Sequence, residues 1–120
     1  MAQKNQHILT GKDGETLAVN FIEKKDYTLL ERNWRFKRSE VDIIAGKNNV
    51  LHFFEVKTRT GRQQLLPEAS VGIKKMDKLK EAAQEYLYQY PTWKFLQFNI
   101  LAITMYKERE PEILLIEDVF

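Results

Sequence analysis

Asp42, Glu55 and Lys57 fall in two short runs, Glu40-Val41-Asp42-Ile43-Ile44 and Phe53-Phe54-Glu55-Val56-Lys57, on either side of Gly46-Lys47-Asn48-Asn49. The central segment has turn chemistry and the flanks are rich in β-branched and aromatic residues, so the stretch is expected to fold as a β-hairpin. With the turn centred on residues 46 to 49, Ile44 pairs near Leu51, Asp42 near Phe53 and Glu40 roughly opposite Glu55. Side chains alternate along a strand. Glu40, Asp42, Glu55 and Lys57 then share one face, and Val41, Ile43, His52, Phe54 and Val56 the other.

Like charges facing each other in a sheet are destabilising, and a half-buried carboxylate is costly unless it is paired or bound to metal. Grouped carboxylate oxygens suit a hard divalent cation such as Mg²⁺ or Mn²⁺, which completes its shell with water and phosphate. A lysine beside them could hold or deprotonate an attacking water and offset phosphate charge. The chemistry implied is metal-assisted phosphodiester hydrolysis. The competing reading is a solvated hairpin face whose charges never meet, because a slip of one residue in register would scatter the group. The apolar neighbours Ile43, Ile44, Phe53 and Phe54 oppose it: strands buried on both sides place the carboxylates at a strand end or in a cleft.

The elements that must position this group can be traced along the chain. From Asp13 to about Lys25, Leu17, Ala18, Phe21 and Ile22 recur at helical spacing, with Thr10, Gly11 or Asp13 as a cap. Glu15 falls inside the apolar arc and faces the protein, either as a first-turn glutamate favoured by the helix dipole or as a functional group. Tyr27 to Phe36 reads as a strand leading into the hairpin, giving an antiparallel meander of three strands. Arg35 on that strand either reaches the carboxylates or forms an ordinary cross-strand ion pair. Residues 58 to 70 lack a sustained period, contain Gly61 and Pro67, and read as a loop at the edge of the site. A second helix is expected from about Ile73 to Tyr90, ending before Pro91. Lys75 lies within the arc of its apolar stripe, while Lys74 and Lys78 project outward. Trp93 to Thr104 and Glu112 to Val119 supply two more strands.

The 120 residues are the size of one domain, here expected to span residues 1 to 120, and their 43% hydrophobic and 30% charged content is that of a globular protein. No apolar run reaches membrane-spanning length and the first residues lack a signal-peptide pattern, so the cytoplasm is the expected compartment. The absence of cysteine excludes disulfides and thiolate metal sites, and His7 and His52 are too few to build an imidazole site. A net charge of +2 permits a nucleic-acid partner without requiring one. Lys57, Arg59 and Arg62 after the hairpin, and Lys74, Lys75, Lys78 and Lys80 on the second helix, are either phosphate-binding clusters or a solvated face.

Residues 11 to 18 (Gly-Lys-Asp-Gly-Glu-Thr-Leu-Ala), Asn33-Trp34-Arg35, Ser39-Glu40-Val41-Asp42-Ile43-Ile44 and Phe54-Glu55-Val56-Lys57-Thr58-Arg59 occur in an order that resembles the YraN-type bacterial family. The likeness continues through Pro67-Glu68-Ala69, Lys75, Leu79, Ala83, Tyr86 and Leu87. That family is similar to the restriction-endonuclease-like nucleases, particularly archaeal Holliday-junction resolvases. The resemblance implies an α/β fold with a mixed β-sheet flanked by α-helices. It also implies that Asp42, Glu55 and the Val56 carbonyl bind metal, with Lys57 the catalytic lysine and Glu15 a helix-borne catalytic carboxylate. Glu40 falls in the motif carrying Asp42 and is a site residue without an assigned role, as is Lys75. Ser39 stands where the family usually has glycine, and Gln97-Phe98-Asn99 where Arg-Phe-Asp is common; these departures bear on substrate contacts more than on metal ligands.

The sequence thus leads to a Mg²⁺- or Mn²⁺-dependent DNA endonuclease acting on branched or damaged DNA. Arg35, Arg59, Arg62, Lys74 and Lys78 are its candidate nucleic-acid contacts. Cutting both strands of a junction would call for a homodimer. The alternatives are a nucleic-acid-binding module that keeps the fold without cleaving, and a protein-interaction factor using the loop after the hairpin.

Overall fold

A computed structural model describes residues 11–61 and 73–119, with side chains from 13–61 and 77–119. Helix α1 (Gly11–Lys24) is followed by strands β1 (Thr28–Phe36), β2 (Ser39–Lys47) and β3 (Val50–Thr60). Helix α2 (Ile73–Gln89) and strands β4 (Phe95–Met105) and β5 (Glu112–Ile116) complete the order. The five strands form one sheet in the order β1-β2-β3-β4-β5. All neighbours are antiparallel except β3 and β4, which run parallel and are joined through α2. The result is an α/β fold with a mixed sheet flanked by helices, compatible with a restriction-endonuclease-like arrangement.

Two apolar clusters divide the core. Ala18, Val19 and Ile22 of α1 pack with Ile43, Ala45, Phe54, Leu101 and Ile103. Leu79, Ala82, Ala83 and Tyr86 of α2 pack with Val41, Ile44, Leu51 and Phe53. Each helix therefore seals its own face of the sheet, which explains why β2 and β3 are apolar almost without interruption. α1 ends in a motif that closes its last carbonyls: Asp26 takes a left-handed φ of 70°, while the Tyr27 and Asp26 amides donate to the carbonyls of Ile22 and Glu23. Tyr27 then folds back into the same cluster as Ile22.

The hairpin forms, but two residues out of the expected register. Lys47 pairs with Val50, Gly46 with Leu51, Ile44 with Phe53 and Ile43 with Phe54. The turn is only Asn48-Asn49, both with positive φ (52° and 67°), the geometry whose twist suits a two-residue hairpin. Glu40 is consequently not opposite Glu55; continuing the ladder brings Asp42 to that position. Because the slip is an even number of residues, it leaves the parity of Glu55, Lys57, Phe54 and Val56 unchanged.

The alternation in β2 is itself broken at Asp42. Val41 joins the α2-side cluster rather than sharing a side with Ile43, which faces α1. Across the β1–β2 ladder, Asn33 lies between the paired residues Arg32 and Trp34 and adopts a φ of 51°. A left-handed residue there reverses the side to which the following side chains point, so Trp34 and Phe36 pack with Val41 against α2. Arg35 pairs with Glu40 in the ladder and across it, with 3.7 Å between Arg35 Nη2 and Glu40 Oε1, the cross-strand alternative left open by the sequence. Among the described residues, no helix is long and apolar enough to cross a membrane.

Candidate active site

The β2–β3 ladder stops at Ile43–Phe54, while β3 remains paired to β4 through Thr60. Beyond that point the edge of β3 facing β2 needs another hydrogen-bond partner. Asp42 supplies it: the Val56 amide donates to Asp42 Oδ2 at 2.8 Å. One carboxylate therefore fills the opening between the two diverging strands, held by the backbone of the residue after Glu55.

The site opens into a pocket of about 400 Å³ lined by Arg38, Ser39, Glu40, Asp42, Glu55, Lys78 and Leu79. Glu55 is 6% exposed and Ser39 is buried, whereas Asp42 and Glu40 are half-buried. Burial raises the Asp42 pKa to about 7, helped by the negative charges of Glu55 and Glu15 and by a hydrogen bond with Glu55, against the lowering effect of the Val56 amide. Asp42 thus shares its surroundings with two carboxylates from different elements.

Glu15 reaches this neighbourhood because α1 sits unusually close to β3. A Cβ on the buried Gly14 would collide with Thr58 Oγ1, so the first turn can approach the strand only because residue 14 is glycine. The next residue, half-buried Glu15, is thereby held where its charge is felt at Asp42.

The sequence-predicted residues divide into groups. Asp42, Glu55 and Glu40 surround the same pocket, together with Lys78. Lys57, two residues along β3 from Glu55, is half-buried but does not line the pocket. Arg35 is spent on Glu40, and Arg59 donates from Nε to Thr104 Oγ1 at 3.3 Å on the neighbouring strand. Arg62 lies outside the described residues, as do Pro67, Glu68 and Ala69. Lys74 and Lys75 belong to α2, with their side chains outside the described set. Arg38 and Ser39 line the pocket without having been singled out as site groups. Their adjacency to the Glu40-Val41-Asp42 run was the available signal.

Among the described residues, no three His, Cys, Asp or Glu side chains form a group able to hold a metal ion. The three expected carboxylates line one pocket, and Glu40 also lies 3.7 Å from the exposed Arg35 guanidinium. What is offered is a pair, Asp42 and Glu55, beside the main chain of Val56. That donor set fits a hard cation that takes one or two carboxylates and keeps several waters or phosphate oxygens. The opposing pressure on Asp42, raised by burial and like charge, is the kind that a divalent cation relieves.

The departure at Gln97 and Asn99 lies elsewhere. Fully buried Asn99 contacts His52 Nδ1 through Nδ2 at 3.0 Å, and its Oδ1 accepts from Gln97 Nε2 at 2.8 Å and the Asp118 amide at 3.1 Å. Burial holds the His52 pKa below its ordinary value. A neutral amide network here ties β3 to β4 and the C-terminal segment, and none of its members lines the pocket.

Comparison with known proteins agrees with the order of motifs. The model of the Uncharacterised protein family UPF0102 matches residues 14–103. A UPF0102 protein of Flavobacterium psychrophilum is 41% identical over 116 residues, covering 96% of each chain. One from Koribacter versatilis is 39% identical over 118 residues, 96% of this chain and 81% of its own. Another, from Chloroherpeton thalassium, is 34% identical over 124 residues, 97% and 96% of the two chains.

Proposed function

The chain belongs to the UPF0102 family, and we propose that it is a Mg²⁺- or Mn²⁺-dependent DNA endonuclease. The observation that carries this reading is the Asp42–Glu55 pair at the divergence of β2 and β3, opening into a pocket that also presents cations. Asp42 and Glu55 would hold the ion with the Val56 carbonyl. The bound cation would lower the pKa of a coordinated water and offset charge on the scissile phosphate.

The remaining work falls to the protein's own groups. Lys57, two residues along β3 from Glu55 and outside the pocket lining, would assist by orienting the attacking water and balancing phosphate charge. Glu15, fixed through the Gly14–Thr58 contact, adds negative charge from the α1 side and favours the cationic occupant. The Val56 amide keeps Asp42 Oδ2 in place. Glu40 and Arg35 form a paired rim.

The test is titration of Mg²⁺ and Mn²⁺ into wild type and Asp42→Ala, with cleavage assays on linear, flapped and four-way-junction DNA. Metal-dependent cleavage by wild type and its loss in a folded Asp42→Ala variant are expected, with substrate preference identifying the kind of nuclease. Equal cleavage by the two proteins would refute the assignment. DNA binding without metal-dependent cleavage in either would transfer the protein to the binding-module reading.

A further inference from the structure

Arg38 and Lys78 line the carboxylate pocket from different elements, the β1–β2 turn and helix α2. Both are exposed, and among the described residues neither forms an ion pair, although Glu40, Asp42 and Glu55 line the same cavity. Arg35 behaves differently, since its guanidinium is directed to Glu40. The turn that carries Arg38 contains only Lys37 and Arg38 between the paired residues Phe36 and Ser39. Lys37 takes a left-handed φ of 57° and lays its ammonium 5.2 Å from the centre of the Phe36 ring. Arg38 is thus presented at the pocket by a short loop whose other cation is already engaged.

We propose that Arg38 and Lys78 are a two-point grip for the nucleic-acid backbone, each receiving a phosphate beside the Asp42–Glu55 pair. This inference rests on the nuclease reading and assigns the side from which the substrate strand enters, between the β1–β2 turn and α2. Arg38 offers a planar fork suited to bidentate phosphate contact, while Lys78 offers a point charge on a flexible stem. Neither group carries out the bond cleavage; both are positioning residues that bring the phosphodiester to the carboxylates. They also supply the positive charge that an anionic substrate needs when it approaches an acidic site.

Binding of a fluorescent DNA duplex is measured in EDTA across a salt series for wild type, Arg38→Ala, Lys78→Ala and the pair. Lys107→Ala, an exposed site on the β4–β5 connection, serves as the charge-loss control. Each pocket substitution is expected to reduce the slope of log affinity against log salt by about 0.9, equivalent to about eightfold weaker binding at 0.1 M salt. Lys107→Ala should leave the slope unchanged, and Arg38→Lys should restore the slope while retaining a deficit in affinity.

Equal effects at all three positions, or none at Arg38 and Lys78, would overturn the grip. Cleavage by wild type alongside unchanged binding of the pocket variants would remove this inference and leave the nuclease standing. Pocket-dependent binding without metal-dependent cleavage would do the reverse. Failure of wild type to bind the duplex at all overturns the grip directly.

Discussion

Replacing Asp42 by Asn should make the metal-free protein more stable, and the gain should depend on pH. Burial and the charges of Glu55 and Glu15 raise the Asp42 pKa from 3.8 to about 7. Between those values the folded protein retains a proton that the unfolded chain has released, so stability falls as pH rises through the window and levels above it. The shift of roughly three units sets a ceiling of about 4 kcal/mol. Asn keeps an acceptor for the Val56 amide and removes the charge, but residual solvation of the half-buried group and relaxation of its neighbours reduce the gain. We expect about 2 kcal/mol at pH 8, or about 6 to 12 °C in Tm for a chain of this size.

Urea denaturation of wild type and Asp42→Asn in EDTA at pH 5 and pH 8 measures the effect, and the difference between the proteins cancels the titration of other groups. About two-fifths of the Asn advantage should already be present at pH 5, which lies partway through the window, and nearly all of it by pH 8. Adding Mg²⁺ should stabilise wild type at pH 8 and leave the variant unmoved, closing or reversing the gap. An advantage that is flat between the two pH values, or an Asn variant less stable than wild type at pH 8 without metal, would refute the electrostatic account of the site.

Gly14→Ala should destabilise the fold by about 1 to 3 kcal/mol, because its Cβ collides with Thr58, and should impair metal binding by displacing Glu15. Combining it with Thr58→Ala should recover part of the stability; a purely additive double-mutant cycle by urea denaturation would rule out that contact. Asn99→Ala should lower stability by about 2 to 4 kcal/mol by leaving the Asp118 amide and His52 short of a partner. Its midpoint for Mg²⁺ binding should match wild type, and a shifted midpoint would couple the amide network to the pocket. Asn49→Gly should preserve or raise Tm, since φ is 67° there, whereas Asn48→Val should destabilise by about 1 to 2 kcal/mol. Equal Tm values for those two variants would contradict the assigned turn.

The hairpin shows which parts of the site the sequence could reveal. Alternation alone put Glu55 and Lys57 on the side opposite Phe54 and Val56, and that assignment survived an error of two residues in register because the error was even. A turn spread over Gly46 to Asn49 misplaces the pairing by two residues, because Asn48-Asn49 alone makes the reversal. Asparagine tolerates the left-handed region, so two adjacent asparagines could have identified the tighter loop and set Asp42 beside Glu55. The reversal at Asp42 had no comparable local signal. It lies across the ladder from Asn33, whose positive φ accompanies it, and a polar residue inside a strand run does not announce that conformation.

Arg38 illustrates a different limit. A charged residue in a two-residue turn has the same sequence signature whether it faces open solvent or a pocket, and only the position of α2 across the cavity separates the cases. Glu15 lies between these extremes: helical periodicity turned it inward, but its approach to Asp42 requires the glycine before it to lie against Thr58, a contact across the fold that periodicity cannot encode. The group with chemical potential is therefore assembled from three separate conditions: strands that diverge after Ile43–Phe54, a helix that approaches closely at Gly14, and a short turn that presents Arg38. Each condition is set by residues outside the motif, so a chain could retain Asp42, Glu55 and Lys57 yet lose the site through a change at Gly14 or in the β1–β2 turn.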